Sequence, residues 1–251
     1  MTAIGAAQCT LMAITSFNGV MLLCNTHFSY FLDKFLMAVL EGAFIASVLL
    51  LLVLAINRFY IFYAIRWIQM GTAKVIFNIL VGLSWLVGLF FTVILLTPGN
   101  DLRFSLQDYG NVFDPATTVV STLVLLVSTS ALGVAFFFYM ATVLVIVQRR
   151  FTVKAPASSR IMSGEIRLFV QGVVDFLFAI AMEVFFYFAP PTRAAMIAIE
   201  VAFILYNGYL NPVAYVIINR TIERPVERLC KIKECQFTRG LRIETAWGKI
   251  Y

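Results

Sequence analysis

Apolar residues in this chain run in long uninterrupted blocks, separated by short segments that hold most of the charge. A helix needs about 20 mostly apolar residues to cross a bilayer, and six blocks reach that length. They run from about Ala3 to Leu23, Phe35 to Ile56, Val75 to Leu96, Thr118 to Val147, Leu168 to Ala189 and Ala194 to Ile218. An open strand would leave backbone groups unpaired in lipid, so the pattern predicts helices. The fold class expected is all-α, a polytopic membrane helix bundle of six spans. Residues 1–220 would form the bundle and residues 221–251 a tail.

Composition agrees with this reading. Of 251 residues, 61% are hydrophobic and 13% are charged, against about a quarter charged in an ordinary soluble domain. The mean hydropathy is +0.92. The 24 phenylalanines suit lipid-facing helices. The four cysteines, Cys9, Cys24, Cys230 and Cys235, form no close zinc-ligand pair, and His27 stands without an obvious partner. No metal site or cofactor is expected.

The formal net charge of +6 is unevenly placed. Arg58, Arg66 and Lys74 lie between the second and third blocks. Arg149, Arg150, Lys154, Arg160 and Arg167 lie between the fourth and fifth, and eight more basic residues come after the sixth. Together they make 16 of the 19 basic residues. Only Lys34, Arg103 and Arg193 fall on the other side. Basic loops stay in the cytoplasm, so both termini are expected there, in a multi-pass protein of the plasma membrane. The basic surplus then marks orientation and not a nucleic-acid partner. Asn219-Arg220-Thr221 matches the glycosylation pattern but falls on the cytoplasmic side, where it reads as chance. The segment from Pro98 to Pro115 is the largest outer loop.

Two short motifs close the second and sixth blocks. Asn57-Arg58-Phe59 ends the second, where an arginine can simply snorkel and anchor the helix. Asn211-Pro212-Val213-Ala214-Tyr215 lies near the end of the sixth, where proline weakens the helix locally. In this order and on this side, the pair resembles the Asp/Glu-Arg-Tyr and Asn-Pro-x-x-Tyr motifs of rhodopsin-like seven-helix G-protein-coupled receptors. Trp85 sits where the fourth helix of that family often has tryptophan. Glu165-Ile166-Arg167-Leu168-Phe169-Val170-Gln171, running on to Asp175-Phe176-Leu177-Phe178, is similar to the start of the sixth helix in nematode chemoreceptors. The nearest resemblance is to serpentine receptor class x. On that alignment the six spans match receptor helices 2 to 7, and the first helix is absent. The chain departs from the pattern in Asn57, which replaces the usual acid, in a fifth span without proline, and in an outer loop without cysteine.

The resemblance implies a chemosensory receptor for a small-molecule ligand that signals to a heterotrimeric G protein. Arg58 would hold partners within the bundle at rest and meet the G protein when active. Glu165 is then either its resting partner or a solvated carboxylate near Arg160 and Arg167. Tyr215 and Tyr139 would rearrange in the active form, with Asn57, Phe59, Asn211 and Pro212 completing the switch. No nucleophile and base or metal cluster points to an enzyme. A transporter or channel would use the carboxylates as an ion path, although no repeated half is evident. A non-signalling membrane protein is a further alternative.

Ionisable residues inside spans usually face the bundle interior, and four carboxylates lie there: Glu41, Asp175, Glu183 and Glu200. At ~1.5 Å per residue, Glu41 lies roughly 25 Å above Arg58, Glu183 roughly 24 Å above Arg167 and Glu200 roughly 22 Å above Tyr215. The three glutamates share one level in the outer third. By the resemblance, their helices line the ligand cavity. Such a site would favour a cationic or hydrogen-bond-donating ligand; snorkelling to the outer headgroups is the alternative for all three, and foremost for Glu41 and Glu183 near span ends. Arg193, Glu200, Asn207, Asn211 and Tyr215 fall in a stripe about 80° wide on the last helix. It is read either as interhelical hydrogen bonding or as a polar track from pocket to switch. The tail from Thr221 to Phe237 resembles a short basic interfacial helix. Its Cys230 and Cys235 are candidate palmitoylation sites or plain cytosolic thiols.

Overall fold

A computed structural model describes residues 2–26, 28–63, 70–100, 102–105, 110–113, 118–152, 159–188, 192–210 and 213. Among the described residues six α-helices fall on the predicted blocks, the last covering only the first part of its block: α1 (Thr2–Cys24), α2 (Tyr30–Tyr63), α3 (Met70–Leu96), α4 (Thr118–Thr152), α5 (Ser159–Phe188) and α6 (Arg193–Ile204). Among the described residues, four stretches are long and apolar enough to cross a membrane: Ala3–Cys24, Tyr30–Tyr63, Ala73–Leu96 and Val119–Gln148. Each satisfies its own backbone hydrogen bonds, which is the condition for lying in hydrocarbon.

The second of these is the hub. Within its most apolar window 56% of residues are buried, against 33, 22 and 28% in the other three. Around it, α1, α3, α4 and α5 pack on different sides. The outer helices keep large apolar side chains exposed, among them Leu86, Leu89 and Phe90 on α3 and Phe137 on α4. A soluble protein could not leave such faces bare; in a bilayer the hydrocarbon covers them.

The α2–α3 contact depends on small residues. A Cβ added at Gly88 would lie 2.5 Å from the Gly42 carbonyl oxygen and 2.9 Å from Ala46 Cβ. One added at Gly42 would collide with Thr92 Oγ1 and lie 2.6 Å from the Gly88 carbonyl. Gly42 and Ala46 are four residues apart on α2, as Gly88 and Thr92 are on α3. This small-x-x-x-small spacing lets two membrane helices approach backbone to backbone.

One element departs from the all-helical expectation. The segment between α3 and α4 holds an antiparallel hairpin, β1 (Leu102–Ser105) and β2 (Gly110–Phe113), with Leu102 opposite Phe113 and Ser105 opposite Gly110. Alternate residues Leu102 and Phe104 turn inward and join a core with Met37, Phe91, Leu95 and Val124. The ammonium of Lys34 donates to the Thr97 carbonyl at 2.9 Å. The Arg103 guanidinium lies 4.6 Å from the Tyr30 ring centroid, a cation–π contact. The hairpin is therefore fastened to one end of the bundle. β1 lies against α2 and β2 against α6.

After α6 the chain continues as a π-helical turn, Leu205–Leu210. Such turns insert one extra residue into an α-helix and usually mark functional positions.

Candidate functional site

The three glutamates expected at one level come to one cavity. Glu41 on α2, Glu183 on α5 and Glu200 on α6 line one cavity of about 90 Å³, with Leu11 and Thr15 of α1 and Phe44 of α2. Glu41 and Glu183 are each only 9% exposed, so neither snorkels to an interface. Glu200 is half-buried. The Ser128 hydroxyl of α4 donates to the Glu183 carboxylate. The rest of the lining is mostly apolar, so the carboxylates have little else to solvate them. An arrangement of this kind attracts a cation or several hydrogen-bond donors.

A second, narrower space lies along the same helices. It shares Leu11, Phe44, Met182 and Phe203 with the first and reaches Asp175, Tyr206 and Asn207. Tyr206 Oη donates to Asp175 Oδ1 at 2.5 Å, and its ring stacks on Phe178 with centroids 3.7 Å apart. Below Asp175 the packing is aromatic. Tyr139 lies against Phe176 and Phe169, at 5.2 and 5.8 Å between centroids, and Phe169 meets Phe62 edge-on at 6.0 Å. Both Asp175 and Arg58 lie within electrostatic reach of Tyr139. Gly172 on α5 makes room for the Tyr139 hydroxyl, which would lie 2.9 Å from an added Cβ.

At the far end of α2, Arg58 is 6% exposed, well inside the bundle where a snorkelling anchor would reach outward. Its neighbours Asn57 and Phe59 are half-buried, and Phe59 packs edge-on against Phe138 at 5.6 Å. Glu165 falls within the first turns of α5. Asn211, Pro212, Tyr215, Cys230 and Cys235 lie outside the described residues.

The polar stripe on the last helix is reshaped. Asn207 donates to the Phe203 carbonyl of its own helix at 3.2 Å, while its neighbour Tyr206 makes the bond to α5. The turn Leu205–Leu210 departs from the regular helical spacing on which the stripe rests, and two of its members, Asn211 and Tyr215, lie outside the described residues. Sequence reasoning misses Tyr206, Thr15 and Ser128. All three are polar groups inside apolar blocks, which is the signal that would find them.

A family model for the serpentine type 7TM GPCR chemoreceptor Srx matches residues 1–207, which includes both cavities and Glu41, Asp175, Glu183 and Glu200. The chain belongs to the Srx family. It is thus a membrane receptor of the G-protein-coupled chemoreceptor kind. No curated protein matches it. In this Srx chain the α2–α5–α6 cavity lies well away from the Arg58 end of α2, Glu41 and Arg58 being 17 residues apart.

Removing the Tyr206 hydroxyl is expected to destabilise this receptor measurably. Tyr206→Phe leaves the buried Asp175 carboxylate without its phenol donor and should cost about 1–2 kcal/mol. The check is the thermal midpoint of purified protein, with Tyr209→Phe as control, since Tyr209 is exposed at 65%. Equal midpoints for the two variants would show that the bond contributes nothing.

Proposed function

We propose that this Srx receptor detects a small cationic ligand, with an amine as the simplest form, and signals through a heterotrimeric G protein at the Arg58 end of the bundle. The observation that carries this reading is the convergence of Glu41, Glu183 and Glu200 from three helices on one cavity. Buried together, the carboxylates are costly while charged, and a cationic partner offsets that cost. An ammonium group offsets their repulsion and supplies further hydrogen-bond donors.

Signalling rests on the residues that the two cavities share. A ligand shifts a receptor only by binding one state better than another. An ammonium that draws the three glutamates together pulls α5 and α6 toward α2. Met182 and Phe203 line both spaces, so their displacement is felt at the Asp175–Tyr206 pair. From there Phe176, Tyr139 and Phe169 form a packed route to Phe62 and Arg58. In this reading Arg58, Asn57, Phe59 and Tyr139 form the coupling face, together with Glu165 and the Asn211-Pro212…Tyr215 segment. Six spans, cytoplasmic termini and a plasma-membrane location complete it, as the distribution of Lys and Arg supports.

The test is G-protein activation by simple alkylamines, with alkyl carboxylates of equal length as controls. Each of Glu41→Gln, Glu183→Gln and Glu200→Gln should raise the half-maximal amine concentration on the order of tenfold to a hundredfold, the worth of one charge-assisted hydrogen bond. Unchanged responses in all three variants refute the reading. Amine-gated ion flux in liposomes without G protein would instead favour a channel.

A further inference from the structure

Glu183 faces two spaces. Besides the inner cavity, it lines a larger cleft of about 350 Å³ between α4 and α5, whose other lining residues include Leu125, Gly133, Phe137, Ile180 and Val184. That cleft opens on the lipid-facing surface of the bundle: Phe137 is 73% exposed and Val184 48%, and Gly133 is exposed, with nothing near the position of a Cβ. Its lining is apolar except for Thr129 and Glu183.

We propose that the α4–α5 cleft is a membrane-side portal to the glutamate cavity, and that it holds the hydrocarbon tail of an amphiphilic amine whose ammonium group reaches Glu183. This rests on the amine reading above and specifies the ligand and its route. Size argues first. Ligand sites usually measure about 300–1,000 Å³; the inner cavity at about 90 Å³ admits a headgroup and little more, while the cleft has room for a chain. Placement argues second. A carboxylate at the back of an apolar, lipid-facing groove is costly unless a cation comes with the hydrocarbon. An amphiphilic amine supplies both, and its chain stays in an apolar medium throughout its passage. The hairpin argues third. It lies against α2 and α6, the helices of Glu41 and Glu200, at the Lys34 end of the bundle, so the α4–α5 side is the one it leaves uncovered. Ser128 of α4 donates to Glu183, the residue that lines both spaces.

The experiment uses the full chain in phosphatidylcholine nanodiscs and a decylamine carrying a diazirine at the tail end. Specific label is that displaced by excess propylamine, which competes for the carboxylates and leaves simple partitioning into lipid untouched. It should map to the stretch from Leu125 to Phe137 on α4 and to Ile180 or Val184 on α5. Gly133→Trp fills the cleft and should abolish that label, whereas Gly82→Trp, which places the same side chain on an exposed face of α3, should not. Displaceable label on Leu11 or Phe203 would put the tail in the inner cavity, overturning the portal while sparing the amine site. Cleft label that propylamine does not displace, and that Glu183→Gln leaves intact, would mean ordinary bilayer lipid and overturn the portal too. Absence of displaceable label anywhere, with no amine response in the signalling assay, would overturn the portal and the amine reading together.

Discussion

Gly88→Leu is expected to yield almost no folded receptor. The contact that forbids a side chain at Gly88 is the backbone carbonyl of Gly42, 2.5 Å from where a Cβ would stand. A side-chain neighbour could rotate aside; a carbonyl engaged in its own helix cannot. The two helices would have to separate, and the loss would spread along their whole contact, including Thr92 and Ala46. Overpacking by even a few methylenes costs about 1–3 kcal/mol, and here it falls on α2, which α1, α3, α4 and α5 all pack around. Gly88→Ala should be milder, in that same range. The control is Gly82→Leu, six residues earlier on α3, where the surroundings are open. Recovery of monodisperse protein after detergent extraction and its thermal midpoint are the measurements. If Gly88→Leu and Gly82→Leu behaved alike, the close crossing of α2 and α3 would be wrong.

The second large effect concerns Arg58. Under the proposed coupling, Arg58→Ala should reduce amine-stimulated G-protein activation to its basal level while amine binding persists. Separation underlies the split: Glu41 and Arg58 are 17 residues apart on one helix, roughly 25 Å. Arg58→Lys should restore little, because an ammonium lacks the planar fork that a buried guanidinium uses toward several partners at once. Binding measured on the same preparation shows that the variant is folded. Wild-type activation by Arg58→Ala would remove Arg58 from the coupling face.

Much of the architecture is legible in the chain. The apolar blocks locate the six helices seen among the described residues, four of which are long and apolar enough to cross a membrane, although α2 and α5 extend beyond their blocks into charged segments. Helical rise alone puts Glu41, Glu183 and Glu200 on one level, since straight helices of similar direction keep depth proportional to residue number. Other features depend on contacts that no local pattern encodes. The hairpin stays hidden because Leu102 and Phe104 give too brief an alternation to stand out from a loop. Gly42 and Gly88 carry the small-residue spacing openly, yet only the structure pairs them. Tyr206 is missed because the stripe assumes an unbroken helix, and the π-helical turn moves the bonding group to its neighbour. The α4–α5 cleft exists only between elements, and its one sequence trace, Gly133, looks like any exposed glycine.

The turn at Leu205–Leu210 has a further consequence for how this chain can change. A one-residue deletion inside it would convert the segment to ordinary α-helix and turn everything after it by about a third of a revolution, while Glu200 and the cavity stayed in place. The phase of Tyr206 and Asn207 within the turn is thus set separately from that of Glu200 on α6. Single-codon steps can move the Asp175–Tyr206 pair without the cavity having to be rebuilt.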